Sequence, residues 1–414
     1  MHPLKAAASA ALIFVLAACG ATPPGATPPG GTTSPGNGAS PELQFDVTVV
    51  QEGLSVPWGI GFTNDGQMFV TERSGTLSVF ASGEPQAELL ATYEVPAMRQ
   101  TGESGLMGLA VDPGFDNNRY IYVCASRDED GPDGPAPWVN DVLRLHVGED
   151  WAVTLDAQLL DPAPRANRQH NGCALGIDRE GMLWITMGDA LAGKDGWPQQ
   201  PRRLNGKVLR IHPDGSIPAD NPVFGDAGEA TPVYSIGHRN PQGIAFHPET
   251  DMPYATEHGT AINDEINLIE AGANYGWPCV SGDGEEGLAD IDPAHCGQSA
   301  DFRPPAWASG NPTIATSGAT FLAGEQWGDW QNSLIVACLK EQDLRRFVAS
   351  EDGRTLTMVD TLLDEQYGRM RAAALAPDGS LYVSTSNQPN AGGANAPPQP
   401  DLERDVILRI QPTP

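Results

Sequence analysis

The chain has 414 residues, 53 acids against 24 lysines and arginines, and a formal charge of −29 at neutral pH. A field of that sign repels phosphate, so nucleic acid is excluded as a partner, and most of the acidity serves solubility. Lysine occurs only at positions 5, 194, 207 and 340, which makes each one worth placing.

In chain order, the first element reads as an export signal. Lys5 supplies a positive start, residues 6–18 form a short apolar run, and Leu16-Ala17-Ala18-Cys19 puts a cysteine directly after small residues. The run is too short to span a bilayer. Residues 1–18 are therefore expected to be a lipoprotein signal peptide, with Cys19 the lipidated first residue of the mature chain. The protein is then expected to be exported and held at a periplasmic or outer cell surface by acyl chains only. Residues 19–41, almost wholly Gly, Pro, Ala, Thr and Ser, cannot build a core and read as a flexible tether. One folded domain is expected over 42–414.

Within that domain one pattern recurs six times. A small residue opens an apolar alternating stretch, a turn signal such as Asp65-Gly66 or Asp378-Gly379 follows, a second run ends in Thr or Ser, and a third closes the unit. The units are 58–62, 68–71 and 77–80; 108–111, 120–123 and 142–145; 174–177, 182–186 and 208–211; 243–246, 254–256 and 266–269; 318–321, 334–337 and 344–347; and 372–375, 381–384 and 406–410. Period-two runs joined by Asp-Gly turns are antiparallel strands and hairpins. All-strand self-similarity on this scale predicts an all-β, six-bladed β-propeller of four-stranded antiparallel blades. Residues 47–50 are expected to supply the outer strand that fastens the ring to its last blade. A pair of stacked β-sandwich domains would fit the same turn spacing.

In a propeller the starts of the innermost strands line a central funnel, so equivalent loops converge there. Polar clusters occupy that register: Gly102-Glu103-Ser104-Gly105, Arg168-Gln169-His170-Asn171-Gly172, Gly237-His238-Arg239-Asn240-Pro241-Gln242-Gly243, Pro312-Thr313 and Tyr367-Gly368-Arg369-Met370-Arg371. Arg239, Lys340, Arg369 and Arg371 would bring four cations into one concave site, which implies an anionic ligand with several carboxylates. His170 is the one well-placed residue of the type whose unperturbed side chain can serve as a base near neutrality, and Asp189 could hold its tautomer. A second constellation, Glu257-His258-Gly259-Thr260, Asn263-Asp264-Glu265 and Asn274-Tyr275-Gly276-Trp277-Pro278, offers carboxylates and turn carbonyls suited to calcium. It is not an EF-hand pattern, and an acidic solvent loop is the plainer alternative.

Beyond Cys19 there are five cysteines, so at least one thiol is unpaired. Cys279 and Cys296 flank one Gly/Asp-rich insertion and are the best candidate disulfide. Cys173, alone on a strand, reads as a small core residue.

At Gly237 to Gly243, Asp264 to Ile269, Asn274 to Pro278, Leu204 to Ile211 and the Arg369/Arg371 pair, the chain resembles the soluble quinoprotein glucose and aldose sugar dehydrogenases. These use pyrroloquinoline quinone (PQQ), and the resemblance covers roughly 45–410. It implies a six-bladed propeller with PQQ and calcium in the funnel. His170 would take the proton of the sugar's anomeric hydroxyl, oriented by Asp189, and hydride would pass to PQQ. Arg239 would stabilise charge on the quinone oxygen, and Asn240 would contact the same cofactor. Thr313, Lys340, Arg369 and Arg371 would hold its carboxylates. Carbonyls of Gly259 and Thr260 would ligate the bridging calcium, with Glu265 and the Tyr275 carbonyl at a second, structural one. Glu103 and Gln169 would border the sugar. Some positions depart from the glucose dehydrogenases: Glu103 replaces glutamine, Gln169 an acid, Thr260 proline and Asn311 tryptophan. These bear on sugar preference more than on the cofactor.

The implied activity is oxidation of an aldose to its lactone, with electrons leaving to an external carrier (a quinone or cytochrome), since no haem-attachment motif is present. A calcium-dependent propeller hydrolase of lactonase type would need carboxylates around the ion instead of arginines. A non-catalytic surface-binding propeller would have no use for His170.

Overall fold

Each repeat folds into an antiparallel sheet of four strands in the computed structural model, which describes residues 43–131, 134–225, 228–296, 302–388 and 405–413. The expected signal peptide, Cys19 and the expected tether fall outside the described residues. The innermost strands are Pro57–Phe62, Leu106–Val111, Gly172–Ile177, Pro241–Phe246, Thr316–Phe321 and Met370–Leu375. Each lies beside the next and the sixth returns to the first, closing a six-bladed β-propeller.

The small residue that opens each unit is a packing requirement of this ring. Gly59, Gly108, Ala174, Gly243, Gly318 and Ala372 all sit third in their strands, where neighbouring inner strands crowd the axis. A Cβ on Gly108 would lie 2.1 Å from the Cys173 carbonyl oxygen, and one on Gly243 would lie 2.5 Å from that of Ser317. Only the smallest side chains fit there. The hydroxyls that end the second strands link blades. Thr71 Oγ1 donates to the Met107 carbonyl at 2.7 Å, Thr186 Oγ1 to that of Pro241 at 2.8 Å, and Ser384 Oγ to that of Pro57 at 2.8 Å. Thr256 bonds the Ser317 carbonyl in the same way.

In the second blade Cys124 stands where four of the others carry that hydroxyl (the fifth has Ala337), and it is disulfide-bonded to Cys173 of the third. Cys173 is thus not the plain core residue its lone position on a strand suggests. Second place in its inner strand aims it across the blade boundary at the linking position of the preceding blade. Cys338 is the free cysteine among the described residues, and it is buried.

Apolar side chains fill the gaps between blades. Phe69, Leu77 and Val79 of the first blade pack with Ile121, Val123 and Leu143 of the second. Tyr254 and Ile266 of the fourth meet Phe321, Val336 and Phe347 of the fifth. Phe45–Leu54 pairs antiparallel with Asp405–Pro412, Val47 opposite Ile410 and Val49 opposite Leu408, so both ends of the chain build the last blade.

Candidate active site

The loop leading into the third inner strand turns sharply at His170, whose φ is 59°. Its backbone N–H donates to Glu103 Oε2 at 3.0 Å, and its Nδ1 lies 2.8 Å from Asp189 Oδ1. Asp189 follows the strand Leu183–Met187, and both its oxygens are engaged. Oδ1 also accepts the Leu191 N–H at 2.8 Å, and Oδ2 accepts the Trp277 indole N–H at 2.9 Å. A carboxylate only accepts, so Nδ1 carries the proton and Nε2 keeps a lone pair. The imidazole retains a 13% exposed edge over an almost fully enclosed aspartate.

The segment 237–243 supplies one structural histidine and one functional wall. His238 is fully buried, bonded through Nδ1 to Glu257 Oε2 at 2.9 Å and through Nε2 to Ser235 Oγ at 2.8 Å. Glu257 also accepts the Arg239 backbone N–H. That leaves the Arg239 side chain pointing inward, with Nη1 donating to the His258 carbonyl at 3.1 Å and the guanidinium 5.3 Å from the Trp277 ring centre. Asn240 is buried: its Oδ1 accepts the Gly172 N–H at 3.0 Å, and its Nδ2 reaches Glu103 Oε2 at 3.4 Å.

The cations of the last two blades lie on the far wall. Lys340 Nζ donates to the Thr313 carbonyl at 2.8 Å and to Thr313 Oγ1 at 3.2 Å. Arg369 Nη1 donates to the Leu339 carbonyl at 3.2 Å, next to Lys340. Arg371 lies deepest, 2% exposed, with Nη1 donating to Gln242 Oε1 at 2.9 Å and its guanidinium 3.8 Å over Trp58. Burial, then repulsion from Arg369, pushes Arg371 down to about 9. Burial likewise lowers Arg73, Arg239 and Arg369. Glu103 opposes the shift in all four, which makes it the shared counter-charge of the cup. Among the described residues, Nε of Arg239, Arg369 and Arg371 and Nε2 of His258 are buried without a hydrogen-bond partner. The sequence reading passed over Arg73 and named His258 only as part of the second constellation, without a role in the cup. Both stand two places after a linking threonine, Thr71 or Thr256, and that offset was the available signal.

The second constellation divides in two. Asp264 Oδ1 accepts the Gly259 N–H at 2.8 Å and Oδ2 the N–H groups of Ile314 and Ala315, so this carboxylate ties the Gly259 loop to the segment after Thr313. Thr260 is exposed and Gln169 half-buried. Glu265 faces Glu257 across two strands, and burial, then Glu257, raises it to about 8. Its Oε1 accepts the Gly282 N–H at 2.6 Å, and neighbouring Asn267 Oδ1 is buried without a partner. Tyr275 donates its N–H to the Ile236 carbonyl at 2.9 Å, and its ring stacks on His238. No group of three or more His, Cys, Asp or Glu converges as a metal site among the described residues. Cys279 and Cys296 are disulfide-bonded and close the loop that follows Trp277-Pro278.

Comparison with known proteins matches this architecture to one family. The sequence profile described as glucose/sorbosone dehydrogenase matches residues 54–392. The aldose sugar dehydrogenase YliI of Escherichia coli K12 is 30% identical over 344 residues, covering 82% of this chain and 90% of that protein. Quinoprotein glucose dehydrogenase B of Acinetobacter calcoaceticus is 33% identical over 260 residues, covering 58% of this chain and 53% of that one. The PQQ-bound form of aldose sugar dehydrogenase from Streptomyces coelicolor superposes with a TM-score of 0.68 at 26% identity, over 90% of this chain and all of that one. The chain belongs to the glucose/sorbosone dehydrogenase family.

Proposed function

We propose that this protein is a PQQ- and calcium-dependent aldose sugar dehydrogenase that oxidises the C1 hydroxyl of a sugar to the lactone. One observation carries the reading: among the described residues, Arg239, Arg369 and Arg371 each keep a buried Nε donor without a partner, and all three share the field of Glu103. Unmatched buried cations are costly, and a flat polycarboxylate supplies the acceptors they lack. The donor set therefore fits PQQ. When bound, that cofactor supplies a two-electron acceptor for hydride.

The chain's own residues do the rest. Nε2 of His170 removes the C1 hydroxyl proton, while Asp189 fixes the tautomer and stabilises the imidazolium that forms. Arg239, steered by the His258 carbonyl, lies where it can offset charge developing beside the base. Thr313, Lys340, Arg369 and Arg371 would grip the cofactor's carboxylates, and Asn240 would align the wall next to it. Glu103 and Gln169 would border the sugar.

For calcium, the acceptable donors are the Gly259 and Thr260 carbonyls at the cofactor and, at a second site, Glu265 with the Tyr275 carbonyl. Buried Glu265 facing Glu257, beside an unpartnered Asn267 oxygen, is an environment that a hard cation would relieve. A lactonase-type hydrolase is less well supported, because the inward-facing charges of the cup are arginines. Export, lipid anchoring through Cys19 and electron transfer to an external quinone or cytochrome complete the proposal.

Dye reduction by the purified protein with PQQ, calcium and a panel of aldoses tests it. His170→Ala should lower turnover by about 10²- to 10⁴-fold while cofactor binding persists. Wild-type turnover in that variant, or the absence of a bound-cofactor absorption band, would overturn the reading.

A further inference from the structure

Trp277 touches both halves of the proposed chemistry. Its indole N–H donates to Asp189 Oδ2 at 2.9 Å, on the carboxylate whose other oxygen holds His170. The same ring lies under the Arg239 guanidinium, 5.3 Å from centre to charge. The residue is 5% exposed and gripped by backbone on both sides. Its N–H donates to the Gly237 carbonyl at 3.0 Å, and its carbonyl accepts Gln199 Nε2 at 2.7 Å. Gln199 is in turn locked to Asn274 through both amide groups. Space for the indole comes from Gly193, where a Cβ would sit 3.1 Å from Trp277 Nε1 and 3.0 Å from Asp189 Oδ2.

We infer that Trp277 is a positioning residue that sets the orientation and basicity of the His170–Asp189 pair and couples it mechanically to Arg239. The inference rests on His170 being the base. An indole donor draws charge from Asp189, so the carboxylate pulls less strongly on the imidazole N–H. The other charged groups facing the pair are Glu103, at the His170 backbone N–H, and Arg239 itself. Neither can replace the indole on Asp189 Oδ2, because Glu103 is an acceptor and Arg239 is drawn toward His258.

The test is Trp277→Phe in the full chain, which keeps the ring and deletes the donor. Histidine NMR of the cofactor-free protein, with the His170 signal identified by its loss in His170→Ala, should show the imidazole titrating at higher pH in the variant. In the enzyme supplied with PQQ and calcium, kcat should fall about 10- to 100-fold with KM for sugar held, as expected of a displaced base. The acid limb of the kcat profile should move up with the NMR titration. Gly193→Ala, which presses on the same contact from outside, should move the titration in the same direction by less, and it serves if Trp277→Phe does not fold. An inactive His170→Ala together with an unshifted titration in a folded variant overturns the role of Trp277 alone. An active His170→Ala overturns the base assignment beneath it.

Discussion

The two walls of the cup differ in how complete they are. On the side of the third blade, the Asp189 oxygens are both bonded, and His170 is held by its ring and its backbone. On the side of the fifth and sixth blades, among the described residues, Arg369 and Arg371 each keep a buried Nε without a partner, and the Lys340 ammonium bonds only Thr313. One wall is finished by the protein. The other is finished only by a ligand. A base must be aimed before substrate arrives, whereas a cofactor grip can leave its final hydrogen bonds to be made on binding.

Five perturbations press on this contrast. The largest effect should come from His170→Ala, with kcat lowered by about 10²- to 10⁴-fold, the range of a lost general base, and PQQ affinity unchanged by fluorescence titration. Asp189→Asn should follow. Its amide can face Nδ1 with a donor and force the wrong tautomer, so kcat should drop steeply without loss of cofactor, read in single-turnover dye assays. On the opposite wall, Arg369→Met should weaken PQQ by about 10- to 100-fold, the worth of a charge-assisted hydrogen bond at 1.5–3 kcal/mol, while kcat at saturating cofactor changes less. Arg371→Met separates the walls most clearly. The cofactor-free variant should melt no lower than the wild type, because an unmatched buried cation is removed, yet gain less in Tm from PQQ. The smallest effect belongs to Cys124→Thr. It restores the hydroxyl that four other blades carry, so calorimetry should show a Tm loss of a few degrees with turnover intact. A large kcat loss in that variant would show that the finished wall depends on the staple beneath it.

Much of the ring was legible because its constraints recur. The small third residue of each inner strand recurs in every blade, and the closing Thr or Ser in four of the six, because each answers a contact repeated around the ring. Apart from the strand through 47–50, which was expected and found, the outer strands were invisible for the opposite reason. Leu89–Glu94 and Val153–Gln158 are mostly exposed, and Trp307–Ala308 is only two residues long, so none imposes a period on its sequence. Among site residues, the positions in inner-strand loops could be read because register alone brings them together. Trp277, Asp264 and the Cys124–Cys173 pair could not. Each acts through a partner at long separation, 88 residues from Trp277 to Asp189 and 49 between the cysteines, and no local pattern marks such a contact. Asp264 reads as a cation ligand by composition, yet its oxygens are spent on three backbone N–H groups of neighbouring loops.

Because Phe45–Leu54 and Asp405–Pro412 share one sheet, the sixth blade can form only after residues 405–412 have been synthesised. Arg369 and Arg371 belong to that blade, and their neighbours Trp58 and Glu103 belong to the beginning of the domain. A nascent or truncated chain that stops before Asp405 therefore has the His170–Asp189 pair encoded but no closed vessel around it. On the proposed reading, cofactor loading should wait until Asp405–Pro412 has been made, and a chain cut before Asp405 should fail to bind PQQ even with the His170–Asp189 pair present.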